Sequence, residues 1–274
     1  MKEYTILPVP DVQCSSVSDE IVESYKVLYD TIKNNFKEEK FSRFFPLCGT
    51  KYNENVQITK GCMGPEVRMM LVGRSVNGWT ELLEKTAEEF AMVATDSFLQ
   101  KGFEWLRDDG KGKETYIREY DQKECRYNIN QSSFFRCTRK ILNQLKPTTV
   151  IEKRWFDYIV WSNLYTIAPL HTGNAEGKLQ DIQLEISKKL LLQQIEFYKP
   201  THILFITDWD WWFERFMDVF SMVKKVGNSL TDNVVGKGTY NGSKVVVTVR
   251  PDRTRPNRPN EEMFVKDVVK CFGE

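Results

Sequence analysis

Four stretches carry residue types that can do chemistry. In "MLVGRSVNGWTELLEK", residues 70–85, an apolar run enters a turn holding Gly73, Arg74, Ser75, Asn77 and Gly78, followed by a helical pattern. A strand-to-helix turn of this kind can carry a nucleophile, cradle a phosphate or floor a pocket. A nucleophile elbow needs G-x-S-x-G, and here one extra residue precedes the second glycine. A serine hydrolase built on Ser75, with His171 and Asp208 as partners, is therefore one reading, with nothing in the sequence to fix its geometry. A phosphate-binding P-loop is excluded, because no Gly-Lys-Ser/Thr follows. The plain reading is a tight turn in which Asn77 and Gly78 supply unusual backbone angles.

The second stretch, "RPDRTRPNRPN" at 250–260, sets Arg250, Arg253, Arg255 and Arg258 among prolines, with Asp252 as the one opposing charge. Proline stiffens such a loop, and guanidinium forks suit phosphate oxygens. The third, "VWSNLYTIAP", ends an apolar strand on Asn163, whose amide can donate and accept toward a base edge or can simply cap the sheet. In the fourth, "CRYNINQSS", Tyr127 offers a ring on which a base can stack, although a lone Tyr is usually core. His171 falls in the loop "HTGNAEGK", and "DWDWWFERF" reads as a helix start capped by Asp208.

The elements that position these residues follow from periodicity. Ser18 precedes a helix with the stripe Ile21, Tyr25, Leu28, Ile32 and Phe36. "FSRFFPLCGTKYN" reads as an irregular connection. "EVRMMLV", "FDYIVWSNL" and "THILFIT" read as strands buried on both faces. After Trp79 comes a helix carrying Leu82, Leu83, Phe90, Ala91 and Ala94, then a polar excursion. "SSFFRCTRKILNQL" is a short basic helix, and a long helix spans Leu179 to Tyr198. "TYNGSKVVVTV" is a hairpin about Asn241-Gly242, and "EEMFVKDVVKCF" is the closing helix. Alternating strands and helices predict a single α/β domain over 1–274. Its expected form is a three-layer α/β/α sandwich around a short, mostly parallel four-stranded sheet, with an N-terminal helix and a helical insertion at 80–127. In open sheets of this class ligands bind beyond the carboxyl ends of the strands, which here picks out the places after Val72, around Asn163, after Ile206 and after Val249.

Composition narrows the chemistry. The 274 residues carry a net charge of +1, so an anionic partner must be met by a local basic patch. Six cysteines without a CxxC pair, and only two histidines, offer no zinc spacing. The N-terminus shows no secretory pattern, and no apolar run approaches the ~18 residues of a membrane span. A reduced, cytoplasmic, membrane-free and monomeric protein without metal or organic cofactor is the expectation.

In their order along the chain, these stretches resemble the uracil-DNA glycosylase superfamily. "LVGRSVNGW" is similar to the glycine-led motif after that family's first strand, where its catalytic carboxylate or asparagine sits. "RYNINQSSFFRCTRKIL" resembles the stacking aromatic followed by a serine- or proline-rich loop that opens a helix. "WSNLYTIAP" has the asparagine that reads a pyrimidine edge, with Thr166 close behind, and "VVVTVRPDRTRP" matches the last strand and its phosphate loop. The likeness covers roughly 65–79 and 125–272.

It implies that DNA is the partner, with a flipped base held by Arg74, Tyr127 and Asn163 and phosphates held by Ser132, Ser133, Arg253 and Arg255. Asn77 or Ser75 then positions the attacking water, and Arg250 steadies the departing base anion or the phosphates. Two departures bear on activity. Gly73-Arg74-Ser75-Val76 stands where the best-known members have Gly-Gln-Asp-Pro, and Arg250 stands where they have histidine. A catalytically silent relative that binds nucleic acid or a nucleotide in the same cleft is therefore an alternative.

Overall fold

A computed structural model describes residues 6–7, 17–37, 40–49, 52, 55–56, 67–75, 82–99, 114–118, 123–127, 132–145, 155–170, 173–251 and 260–274. Its strands are β1 (Ile6–Leu7), β2 (Phe41–Arg43), β3 (Leu47–Cys48), β4 (Asn55–Val56), β5 (Met69–Gly73), β6 (Glu114–Arg118) and β7 (Lys123–Tyr127). Then follow β8 (Ile159–Asn163), β9 (Ile167–Pro169), β10 (His202–Ile206), β11 (Lys224–Lys225), β12 (Val234–Tyr240) and β13 (Ser243–Thr248). The helices are α1 (Asp19–Asn35), α2 (Ala87–Leu99), α3 (Ser133–Leu145), α4 (Lys178–Tyr198) and α5 (Glu261–Gly273).

The fold is mixed α/β. Its main sheet has seven strands, in the order β11-β12-β13-β10-β5-β8-β3, rather than the four expected. The pairings β13–β10, β10–β5 and β5–β8 are parallel, whereas β11–β12, β12–β13 and β3–β8 are antiparallel. The difference has two sources. Asn241 and Gly242, at φ 45° and 81°, turn the chain back tightly enough to add β12 antiparallel to β13. The aromatic connection at 41–48 contributes β3 at the far edge and β2, which pairs with β9. Strands of two or three residues are too short to show alternation. Likewise 80–127, expected to be helical, holds α2 and the antiparallel hairpin β6–β7.

β5 lies inside the sheet and is buried along its whole length, which its unbroken apolar sequence requires. Side chains at matching register on parallel neighbours share a face. Ser162 Oγ donates to Gln194 of α4, so Val72, Ser162 and Phe205 face α4. Trp161 meets Phe134 and Phe135 of α3, and His202 meets Phe272 of α5 at 5.1 Å. The opposite parity, which includes Gly73 and Asn163, therefore faces α3 and α5. Helices cover both faces. Among the described residues no helix is long and apolar enough to cross a membrane.

α1 begins where its sequence predicts and buries Ile21, Tyr25, Leu28 and Ile32. "DWDWWFERF" does not become an α-helix. Asp208 and Trp211 adopt φ 65° and 69°, which breaks helical continuity and leaves one 3-10 turn over Phe213–Phe216.

Burial and the nearby Lys244 ammonium push the His202 imidazole down to about 4. The unfolded chain takes up that proton near pH 6.5 and the folded chain refuses it, so stability falls as pH drops from 6.5 toward 4. After discounting for the ring's partial exposure, the loss between pH 7 and 5 is about 1–2 kcal/mol. Urea denaturation at the two pH values measures it, and His202→Gln is expected to flatten the difference.

Candidate functional site at the carboxyl edge of the sheet

β5 and β8 end side by side, with Gly73 directly opposite Asn163. The Leu164 N–H donates to the Gly73 carbonyl at 2.9 Å and the Tyr165 N–H to the Arg74 carbonyl at 3.0 Å, so the two post-strand loops are tied together. Asn163 lays its amide over Gly73. A Cβ on residue 73 would stand 2.4 Å from Asn163 Oδ1, closer than any real contact allows. Here glycine is required by the neighbour rather than by its backbone angles.

Asn163 is only 7 % exposed, and its Nδ2 is buried without a hydrogen-bond partner among the described residues. Leaving an amide donor unpaired costs about 1–3 kcal/mol, so an acceptor that takes its hydrogen bond is favoured. The Phe134 ring stands beside it, 3.8 Å from the position a Gly73 Cβ would take.

Phe134 belongs to the first turn of α3. The Ser132 carbonyl accepts the Arg136 N–H at 2.9 Å, which makes Ser132 the cap and Ser133 the first helical residue. α3 is anchored to α5 by Arg136, whose Nε donates to Glu261 Oε1 at 3.0 Å, and by Lys140 Nζ at 3.4 Å from Oε2. The Arg136 hydrogen bonds hold the Glu261 carboxyl below its ordinary range. This anchor sets where Phe134 and the amides of the first turn sit.

Arg74 lies on the α4 side instead. Its Nε donates to the Thr207 carbonyl at 2.8 Å, its guanidinium pairs with Asp208, and it lies 4.9 Å from the Trp212 ring centroid. It lines a cavity of about 620 Å³ with Gln180, Asp208 and Trp212, across the sheet from the Asn163 amide. Buried next to Trp212, the Tyr165 hydroxyl is pushed up to about 12 by desolvation.

No protein-family model matches this chain. No curated protein matches it either. Asn163 stands where the sequence places it, at a strand's carboxyl end, with Gly73 and the start of α3 around it. Ser75 is close in sequence, but its hydroxyl accepts the Ala175 N–H at 3.0 Å and donates weakly to Asn174 Oδ1 at 3.4 Å. Among the described residues its hydrogen-bond partners are both amides, and neither is a base that could activate a nucleophile. Ser75→Ala is expected to loosen the 173–175 loop by about 1 kcal/mol. A serine-directed fluorophosphonate probe is expected to leave the wild-type protein unlabelled.

Arg250 is exposed just past β13. Two strand spacings, about 10 Å, separate β13 from β5, and a third separates it from β8. Arg250 is thus a flank of the Asn163 site rather than a neighbour of it. Tyr127 ends β7, where it pairs with Glu114, and only its backbone is described. Asn77, Arg253, Arg255 and His171 lie outside the described residues. Among the described residues no group of His, Cys, Asp or Glu is arranged to hold a metal ion.

Two participants escape sequence reasoning. Phe134 hides in "SSFFRC", where either phenylalanine could face the core. Asp208 looks like a helix cap and is in fact the partner of Arg74.

Proposed function

We propose that this protein is a DNA glycosylase-like nucleobase-recognition protein of the uracil-DNA glycosylase type, built on that family's four-stranded parallel core. Asn163 Nδ2 carries this reading, because it is a buried donor without a partner among the described residues and an acceptor on a ligand can take its hydrogen bond. A uracil-like base offers carbonyl acceptors on its edge, and the Phe134 ring gives a face for stacking. The base must be flipped to reach such a recess. The first turn of α3, with Ser132 and Ser133, presents backbone N–H groups that suit a phosphate. Arg250, Arg253 and Arg255 serve this reading as further phosphate ligands.

Hydrolysis then consists of water attack at the sugar's anomeric carbon and cleavage of the C–N bond. The base departs as an anion that the Asn163 donor stabilises, and the proton that the attacking water releases passes to solvent, from which the base anion is reprotonated. Asn77 positions the water, and neither metal nor cofactor takes part. The protein acts as a monomer in the cytoplasm.

A second reading, binding without hydrolysis, is favoured by Ser75. It stands at the position of the family's usual carboxylate, and its hydroxyl is occupied by the 173–175 loop.

Labelled single- and double-stranded oligonucleotides carrying uracil, a G·U mismatch or an alkylated base separate the two readings. Alkali-labile breaks that disappear in Asn77→Ala and Asn163→Leu support the glycosylase. Saturable, salt-sensitive retention without breaks supports the binder. Neither breaks nor retention would sink both.

A further inference from the structure

The cavity on the α4 side is across the sheet from the Asn163 amide and has no part in the reading above. Among the described residues its lining sets Glu176, Asp208 and Asp210 against the guanidinium of Arg74, so it repels phosphate rather than attracting it. Its aromatic wall is unusual. Trp211 is 82 % exposed, its indole packs on no other ring among the described residues, and its backbone sits at φ 69°, a sterically poor angle for a bulky residue. Gln180, itself only 8 % exposed, holds this conformation by donating to the Trp211 carbonyl at 3.1 Å. A buried side chain is thus used to keep an indole out in solvent at the rim of a cavity.

We infer that this cavity binds a guanidinium or alkylammonium group carried on an apolar stem. The protein already shows the chemistry one residue away, where the Arg74 guanidinium lies over Trp212 and pairs with Asp208. Trp211 offers a second indole face for an incoming cation. Asp208 is engaged by Arg74, and Asp210 by Lys225 and Ser229. Glu176 is exposed and enters no ion pair among the described residues, so it is the carboxylate open to a ligand. Leu230, 73 % exposed on the same lining, suits the stem. A volume of about 620 Å³ accommodates an arginine-sized group, free or as the side chain of a partner protein.

Isothermal titration calorimetry of the full chain with argininamide, with its uncharged urea isostere citrulline amide (both acetylated on the α-amino group) and with a blocked Gly-Arg-Gly peptide tests this. Saturable binding of argininamide or the peptide, with none of citrulline amide, is expected. Trp211→Ala is expected to weaken it about tenfold and Trp211→Phe much less, as a cation–π contact requires. Glu176→Gln is expected to weaken it about threefold and to flatten its salt dependence. Both Trp211 and Glu176 are exposed, so their removal leaves the core untouched. Equal affinity for argininamide and peptide identifies a free cation as the ligand, and binding confined to the peptide identifies a partner's side chain. The inference is overturned if neither cation binds, if citrulline amide binds as well, or if Trp211→Ala leaves the Kd unchanged.

Discussion

Asn163→Leu is expected to make the protein more stable and unable to recognise its ligand. Leucine has the branching and heavy-atom count of asparagine, with bulkier methyl groups, and carries no polar atom. The substitution removes a buried Nδ2 that has no partner among the described residues, and leaves the apolar surroundings of Trp161 and Phe134 in place. Relief of that desolvated donor is worth about 1 kcal/mol, at the low end of what an unpaired buried group costs. A midpoint shift in urea denaturation at pH 7.5 measures it. The same variant is expected to lose at least about a hundredfold in oligonucleotide cleavage or retention, because a site built around a hydrogen bond discriminates steeply when that bond is gone. The two signs together are diagnostic. If Asn163 merely capped the end of β8, leucine would strand backbone groups and lower stability by about 1–3 kcal/mol. A destabilised Asn163→Leu protein would therefore remove the main support for a ligand site here.

How much of this could be read from the sequence depends on the range of the interaction. Asn163 was legible because an asparagine ending an apolar run is a local pattern, and parallel sheets bring such ends to one edge. The hairpin at Asn241-Gly242 and the stripe of α1 were legible for the same reason. Gly73 is legible as a residue of the turn, but the reason it must be glycine is not. Its need for a missing Cβ comes from a residue ninety positions later, which no local pattern encodes. The resemblance implies Arg74 in the base pocket, yet its guanidinium lies across the sheet with Asp208 and Trp212. Phe134 was missed because both phenylalanines of α3 meet Trp161, and only the helix register set by Arg136 and Glu261 brings Phe134 to Gly73. The strands β2 and β3 escaped because their two or three residues are fixed by partners, β9 and β8, more than a hundred residues away.

Gly73→Ala tests whether the glycine and the asparagine form one unit. The new methyl would meet Asn163 Oδ1 at 2.4 Å, and Asn163 is 7 % exposed, so the amide must swing away against packed neighbours. The expected cost is about 1–3 kcal/mol, in the range of overpacking a well-filled site. The loss of recognition should match that of Asn163→Leu, because a displaced amide no longer aims its donor. In an Asn163→Ala background the obstacle is gone, since no side-chain oxygen remains over residue 73. Gly73→Ala is then expected to be close to neutral, or slightly stabilising through its effect on the unfolded chain. The coupling between the two substitutions should exceed about 1 kcal/mol, well beyond the few tenths seen for sites that do not touch. Equal costs in both backgrounds would place the role of Gly73 in its own backbone, and Asn163 would lose the support that fixes its amide at the mouth of the site.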